Sequence, residues 1–233
     1  MTESQSPQSR LPRTSTLLLI AVVLLIGGGM LMVWLPYHRE QRVSAEFQGL
    51  GGTAGARIFR PAWIPDAVGD EYLTVFERVS IVDLSETHGS DLRLVQLRGL
   101  TMLKVLDLLG TQVSDSELEH LRGLTNLENL QLRYTQVSDA GLEHLRGQKN
   151  LAYLALGDTQ ISDAGLGHLR GLTNLQHLAL DNTKISDVGL EHLRGLTNLT
   201  HLDLDNTRVT QAGIEKLQKA LPDCRIIWTP PAE

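Results

Sequence analysis

An α/β solenoid is the fold that the sequence predicts, with parallel strands on its concave side, short helices on its convex side and a single membrane-crossing helix before it. Two observations carry this expectation. From about residue 81 the chain repeats itself every 24 residues, so that a Leu-x-Leu pair falls at Leu106/Leu108, Leu130/Leu132, Leu154/Leu156, Leu178/Leu180 and Leu202/Leu204. A fixed period of this size marks stacked supersecondary units, each too small to bury its own apolar side chains and stable only against its neighbours. The second observation is an uncharged run from Thr14 to Tyr37. Its apolar core, Leu17–Leu35, would be roughly 28 Å long as a helix, close to the hydrocarbon thickness of a bilayer.

Taken in order, residues 1–13 are rich in Ser, Gln, Pro and Arg and form a tail without a core. Residues 14–37 are the expected membrane helix, with the lipid bilayer met through Leu17–Leu35 and with Trp34 and Tyr37 at the depth of an interfacial aromatic belt. A cleaved signal peptide is the alternative, but the apolar run exceeds a signal's core. The best small-residue site, Val43-Ser44-Ala45, also lies beyond Arg39, Glu40 and Arg42. Arg10 and Arg13 before the span balance Arg39 and Arg42 after it, so loop charge does not orient it. Residues 38–80 are the juxtamembrane segment and N-terminal cap: His38–Gln48 continues as a helix, Gly49, Gly51, Gly52 and Gly55 break it, and Phe59, Trp63, Tyr72 and Phe76 supply apolar cover for the first repeat. Residues 81–229 are the repeats, and residues 230–233 a short tail after a closing strand around Ile226 and Trp228.

Within one repeat, Leu127, Leu130 and Leu132 face inward from a short strand while Asn129, Gln131 and Arg133 face outward. Thr135 sits at the turn, where a small hydroxyl can serve the backbone. Val137 returns to the core, and Ser138-Asp139 reads as a helix N-cap with an acidic first turn. Leu142 and Leu145 share one helical face, and Gly147 (with Gly123, Gly171 and Gly195) is expected to end the helix at positive φ. The pattern Leu127-x-x-Leu130-x-Leu132-x-x-Thr135-x-Val137 resembles the leucine-rich-repeat family, with Thr where that family carries Asn or Cys. The Thr-x-Val-Ser-Asp-Ala-Gly-Leu form is similar to bacterial membrane-anchored members, which implies a right-handed solenoid of about six repeats that binds partners on its concave face, with the repeats outside the cytoplasm. It is also similar to the repeats of F-box substrate receptors, which implies an alternative role in ubiquitin-type protein turnover.

Composition narrows the chemistry. Residues 1–81 balance seven acids against seven bases, so the net charge of −6 lies in the repeats. An acidic solenoid is a poor binder of nucleic acid, whose phosphates need Lys and Arg. A single cysteine, Cys224, permits no intramolecular disulfide. Phosphate loops, dinucleotide fingerprints and nucleophile elbows are missing from the sequence. Ser138, Asp139 and His144 could be named a triad, but the same three types recur at Ser162/Asp163/His168 and Ser186/Asp187/His192, so stacking selects them. His120, His144, His168 and His192 form one helix column whose members are too far apart to share an ion. No enzyme, cofactor or metal is therefore expected.

What drifts between repeats is where a partner can be read. The expected protein or peptide partner meets Asn129, Gln131, Arg133, Tyr134, Tyr153, His177, Asp181, His201, Asp203 and Asp205, with Tyr153 and Tyr134 as anchors. His177 and His201 stand on adjacent strands, close enough for one ion, although a solvated stripe is the simpler reading. Asp181 and Asp205 put like charges side by side, a repulsion that a basic partner, or a metal held with His177 and His201, would relieve.

Overall fold

The computed structural model of the chain describes residues 35–59, 77–87 and 94–230. Most of the run Thr14–Tyr37, the aromatics Trp63, Tyr72 and Phe76, and the last residues of the tail lie outside them. Among the described residues no helix is long and apolar enough to cross a membrane.

One sheet of eight strands in chain order forms the spine: β1 (Thr53–Ile58), β2 (Glu77–Asp83), β3 (Val105–Asp107), β4 (Asn129–Gln131), β5 (Tyr153–Ala155), β6 (His177–Ala179), β7 (His201–Asp203) and β8 (Arg225–Ile227). β1 runs antiparallel to β2, and every later pair is parallel. The sequence period is the sheet's register, since Leu106, Leu130, Leu154, Leu178 and Leu202 pair in turn. Behind the strands come the short helices α2 (Asp115–Leu118), α3 (Asp139–Leu142), α4 (Asp163–Leu166) and α5 (Asp187–Leu190), and the longer α6 (Gln211–Ala220). The leucine columns between the two layers are fully buried, as are Val137, Ile161, Ile185 and Val209.

Polar ladders fix each repeat to the next. The buried hydroxyls of Thr111, Thr135 and Thr207 donate at 2.7 Å to the carbonyl three residues earlier, closing the turn after each strand. In that turn Tyr134, Asp158, Asn182 and Asn206 take the left-handed backbone, with φ of 56°, 55°, 55° and 54°, at the place Gly110 fills with φ 68°. Asn and Asp tolerate this region better than other side chains; Tyr134 does so only because both flanking elements hold it.

The cap expectation holds at Ser186 and Thr210, which accept the Val188 and Gly213 N–H at 3.3 Å. Ser114 bonds Glu117 of its own first turn, but Ser138 and Ser162 are bonded differently. Ser138 occupies the N-cap position of α3 but makes no side-chain cap bond. Its hydroxyl and its N–H both go to Asp115 of the preceding repeat, and Ser162 does the same to Asp139, Ser186 to Asp163 and Thr210 to Asp187. The aspartate reaches over because the following repeat has glycine there. A Cβ at Gly141, Gly165, Gly189 or Gly213 would stand 2.2–2.5 Å from that carboxylate. By contrast, Gly123, Gly147, Gly171 and Gly195 do not have the positive φ expected of them. Successive i→i+3 turns, such as Leu124 N–H to Leu121 and Leu127 N–H to Leu124, carry the chain from helix to strand without a left-handed residue.

Both ends of the stack are closed. Helix α1, described over residues 35–49, buries Val43 and Phe47 against the first strands, and Glu40 accepts from the Val79 N–H at 2.7 Å. Burial pushes the Glu40 carboxyl above its usual range against the pull of Val79, Arg78 and Arg39. Among the described residues of the cap Phe47 is fully buried and Phe59 half-buried. At the other end the Trp228 indole donates to the Val209 carbonyl at 3.0 Å, and Gln218 donates at 2.9 Å to the carbonyls of Leu221 and Cys224. Burial pushes the Cys224 thiol up to about 11, so it stays protonated and unreactive at neutral pH.

Candidate functional site

The two faces of the solenoid differ in chemistry. The helix face repeats itself: Arg122 donates to His144 Nδ1 and Arg146 to His168 Nδ1, each at 2.9 Å, and Arg170 meets His192 in the same way. An arginine N–H can only donate, so the imidazole nitrogen that it meets is the acceptor. The histidine column is therefore an inter-repeat link.

The strand face changes from repeat to repeat. Outward alternation on β5, β6 and β7 places Tyr153, His177 and His201 in one row. The Tyr153 and His177 rings lie 6.0 Å apart at 35°, and the His177 and His201 rings stack at 4.5 Å and 12°. Parallel rings send their nitrogen lone pairs along parallel planes, which does not converge them on one ion. A shallow depression runs along this row, floored by Ala179 and closed by Asp203 and Ile227. Arg225 continues the row, in register with His201.

Asp181 sits one step along the same face and is 5% exposed. The sequence reading left it facing Asp205 without a counter-ion; in the structure Arg133 supplies one, its guanidinium reaching Asp181 Oδ2 from two repeats away. The span is open because Gly157 lies between them: a Cβ there would stand 2.5 Å from Asp181 Oδ1. Burial is the largest influence on Asp181 and pushes its carboxyl above the usual range; Asp203 and Asp158 push the same way while Arg133 pulls it back. Asp203 Oδ1 accepts the Asp205 N–H at 3.1 Å, and Asp205 accepts the Thr229 hydroxyl at 2.9 Å. Further toward the N-terminus, burial and the neighbouring Asp83 hold the Asp107 carboxyl up.

Of the residues named from sequence, Tyr153, His177, His201 and Asp203 come together, and Arg133 joins Asp181. Asn129 and Gln131 are half-buried on β4, on the same face. Tyr134 stands apart: it is 59% exposed but belongs to the left-handed turn beyond the strand. Sequence reasoning missed the small residues Ala155, Gly157 and Ala179 as a floor, and Arg225 as a neighbour of the histidines. The signal was present, since reading the 24-residue columns sideways puts Gly157 between Arg133 and Asp181.

Comparison with known proteins follows the same lines. A family model described as leucine rich repeat matches residues 149–209. Internalin C2 of Listeria monocytogenes is similar in structure, with 29% identity and a TM-score of 0.52 over 63% of this chain and 60% of that one. A repeat protein of Leptospira interrogans aligns at 24% identity and TM-score 0.48, over 57% of this chain and 33% of that one. The chain therefore spans less than two thirds of the length of either. No curated protein matches the sequence.

Proposed function

We propose that this chain, which belongs to the leucine-rich-repeat family, is a non-catalytic recognition module that is held at a membrane and binds a protein or peptide partner on its strand face. The single observation that carries the reading is the contrast between the faces. The helix face repeats the same arginine–histidine link from repeat to repeat, while the strand face presents a ring row beside a depression and carboxylates that vary along the stack. Aromatic side chains gathered beside such a depression are the kind of group that dominates interface energetics. Neither relative compared supports the substrate-receptor alternative.

The uncharged run Thr14–Tyr37 favours the anchor. On this reading the repeats lie outside the cytoplasm. Fusing reporters after Glu233 tests the orientation; activity confined to a cytoplasmic reporter would refute it.

The partner site is tested by crosslinked capture from native membranes with the full chain as bait. Tyr153→Ser combined with His201→Ser should abolish capture of whatever the unaltered chain retains. Glu119→Ser combined with Glu143→Ser, two exposed helix-face positions, should leave it intact. Equal effects of the two double variants would remove the strand-face assignment.

A further inference from the structure

Asp181 is the point on the strand face where charge and space fail to match. Its Oδ2 is held by Arg133, but its Oδ1 has no hydrogen-bond partner although it is buried, and it is aimed over Gly157. Gln131 Oε1, on the same face, is a second buried acceptor without a donor. Asp203 and Asp158 deepen the negative potential at Asp181. Two donors reach Asp181 Oδ2, the Asn182 side-chain amide at 3.4 Å and the Arg133 guanidinium, the latter stretched across a floor of Ala155, Gly157 and Ala179 that carries nothing beyond Cβ. The rings of Tyr153 and His177 stand beside that floor.

We infer that this floor is a socket for a basic side chain of the protein partner, and that Arg133 is its resident occupant, displaced from Asp181 when the partner's guanidinium or ammonium arrives. The inference rests on the strand-face reading above and names the chemistry of what binds there. Charge complementarity selects the occupant. A carboxylate or phosphate would meet Asp158, Asp181 and Asp203 with like charge, and a neutral donor would leave the buried carboxylate uncompensated once Arg133 moves. A guanidinium offers two parallel N–H donors to the two Asp181 oxygens and a flat face to the ring wall.

The test uses the full chain in detergent micelles, with alanine methyl groups labelled so that Ala155 and Ala179 report by NMR. The probes are the capped tripeptide Gly-Arg-Gly and its citrulline counterpart, which has the same shape without the charge. The arginine peptide should shift both methyls, and the citrulline peptide should not. Arg133→Gln should tighten the arginine peptide by about tenfold, the gain when a socket open about a tenth of the time becomes fully open. Asp203→Asn should weaken it, and Asp181→Asn should abolish it; thermal melts of both variants show whether they fold. Equal shifts with the two peptides, or unchanged or weaker binding after Arg133→Gln, overturns the socket. If the peptides fail to discriminate while Tyr153→Ser with His201→Ser still abolishes partner capture, the socket falls and the strand-face reading stands. If capture ignores the strand face while the arginine peptide still binds, the strand-face reading falls and takes with it the assignment of the socket to that partner, leaving only a site for a basic side chain.

Discussion

Gln148 stands where the neighbouring repeats carry Leu100, Leu124, Leu172 and Leu196, and it is fully buried. Its Nε2 donates to the Leu121 carbonyl at 2.7 Å, but its Oε1 has no partner. A buried acceptor left unpaired costs about 1–3 kcal/mol, and the Leu121 carbonyl keeps the Leu124 N–H without it. Gln148→Leu is therefore expected to raise stability by about 1 kcal/mol, measured as a higher midpoint in thermal or urea unfolding; a lower midpoint would show that the amide is needed. His192 gives a pH dependence at the same scale. Burial and then Arg170 lower its pKa from 6.5, against the pull of Asp163 and Glu191. The folded state thus takes up the proton less readily than the unfolded one, so stability is fully present above 6.5 and is lost as pH falls through the lower folded value. Between about pH 7.5 and about pH 5 the melting temperature of the unaltered chain should drop further than that of His192→Gln, in which this group no longer titrates. Parallel curves would refute the assignment.

At the scale of the element, a four-residue helix has too few backbone bonds to hold itself, so α3, α4 and α5 depend on the clasp from the repeat before them. Two glycines separate this role from mere flexibility. Gly165→Ala puts a methyl 2.3 Å from Asp139 Oδ1 and should break the clasp to Ser162, costing about 2 kcal/mol or more. Gly147→Ala meets open space at a φ that is not positive and should be neutral or stabilising by up to about 1 kcal/mol. Chemical denaturation of the two variants checks the difference, and similar midpoints would refute the clasp. Strands, turn threonines and inward leucines were legible in the sequence because a strict period converts position directly into register. The clasp was not, because Ser-Asp at a helix start has the same letters whether the serine caps its own helix or bonds across the stack. Similarly, the Arg133–Asp181 pair joins residues two repeats apart, and nothing in a single repeat announces a side chain that skips its neighbour. Phe47 escaped for a different reason: a lone aromatic on a helix shows no sign of what it packs against.

For the molecule as a whole, stability is close to a sum of repeat terms and nearest-neighbour terms, with the two ends needing separate cover. Helix α1 with β1 covers one end, and α6 with Trp228 covers the other. The Arg133–Asp181 pair therefore sits inside the stack, while the ring row reaches to within one strand of its C-terminal end. The regularity of the Asp-to-Ser clasp has one more consequence. Every clasp spans 23 residues and every parallel strand pairing 24, so the contacts at one junction are interchangeable with those at the next. The chain can consequently lengthen or shorten only in whole units. Duplicating 24 residues would create a junction already known to fit, whereas inserting one residue would put leucine, threonine and aspartate out of step at once. A gene of this kind can grow by unequal recombination between its own repeats, copying the scaffold while leaving each new strand face free to diverge.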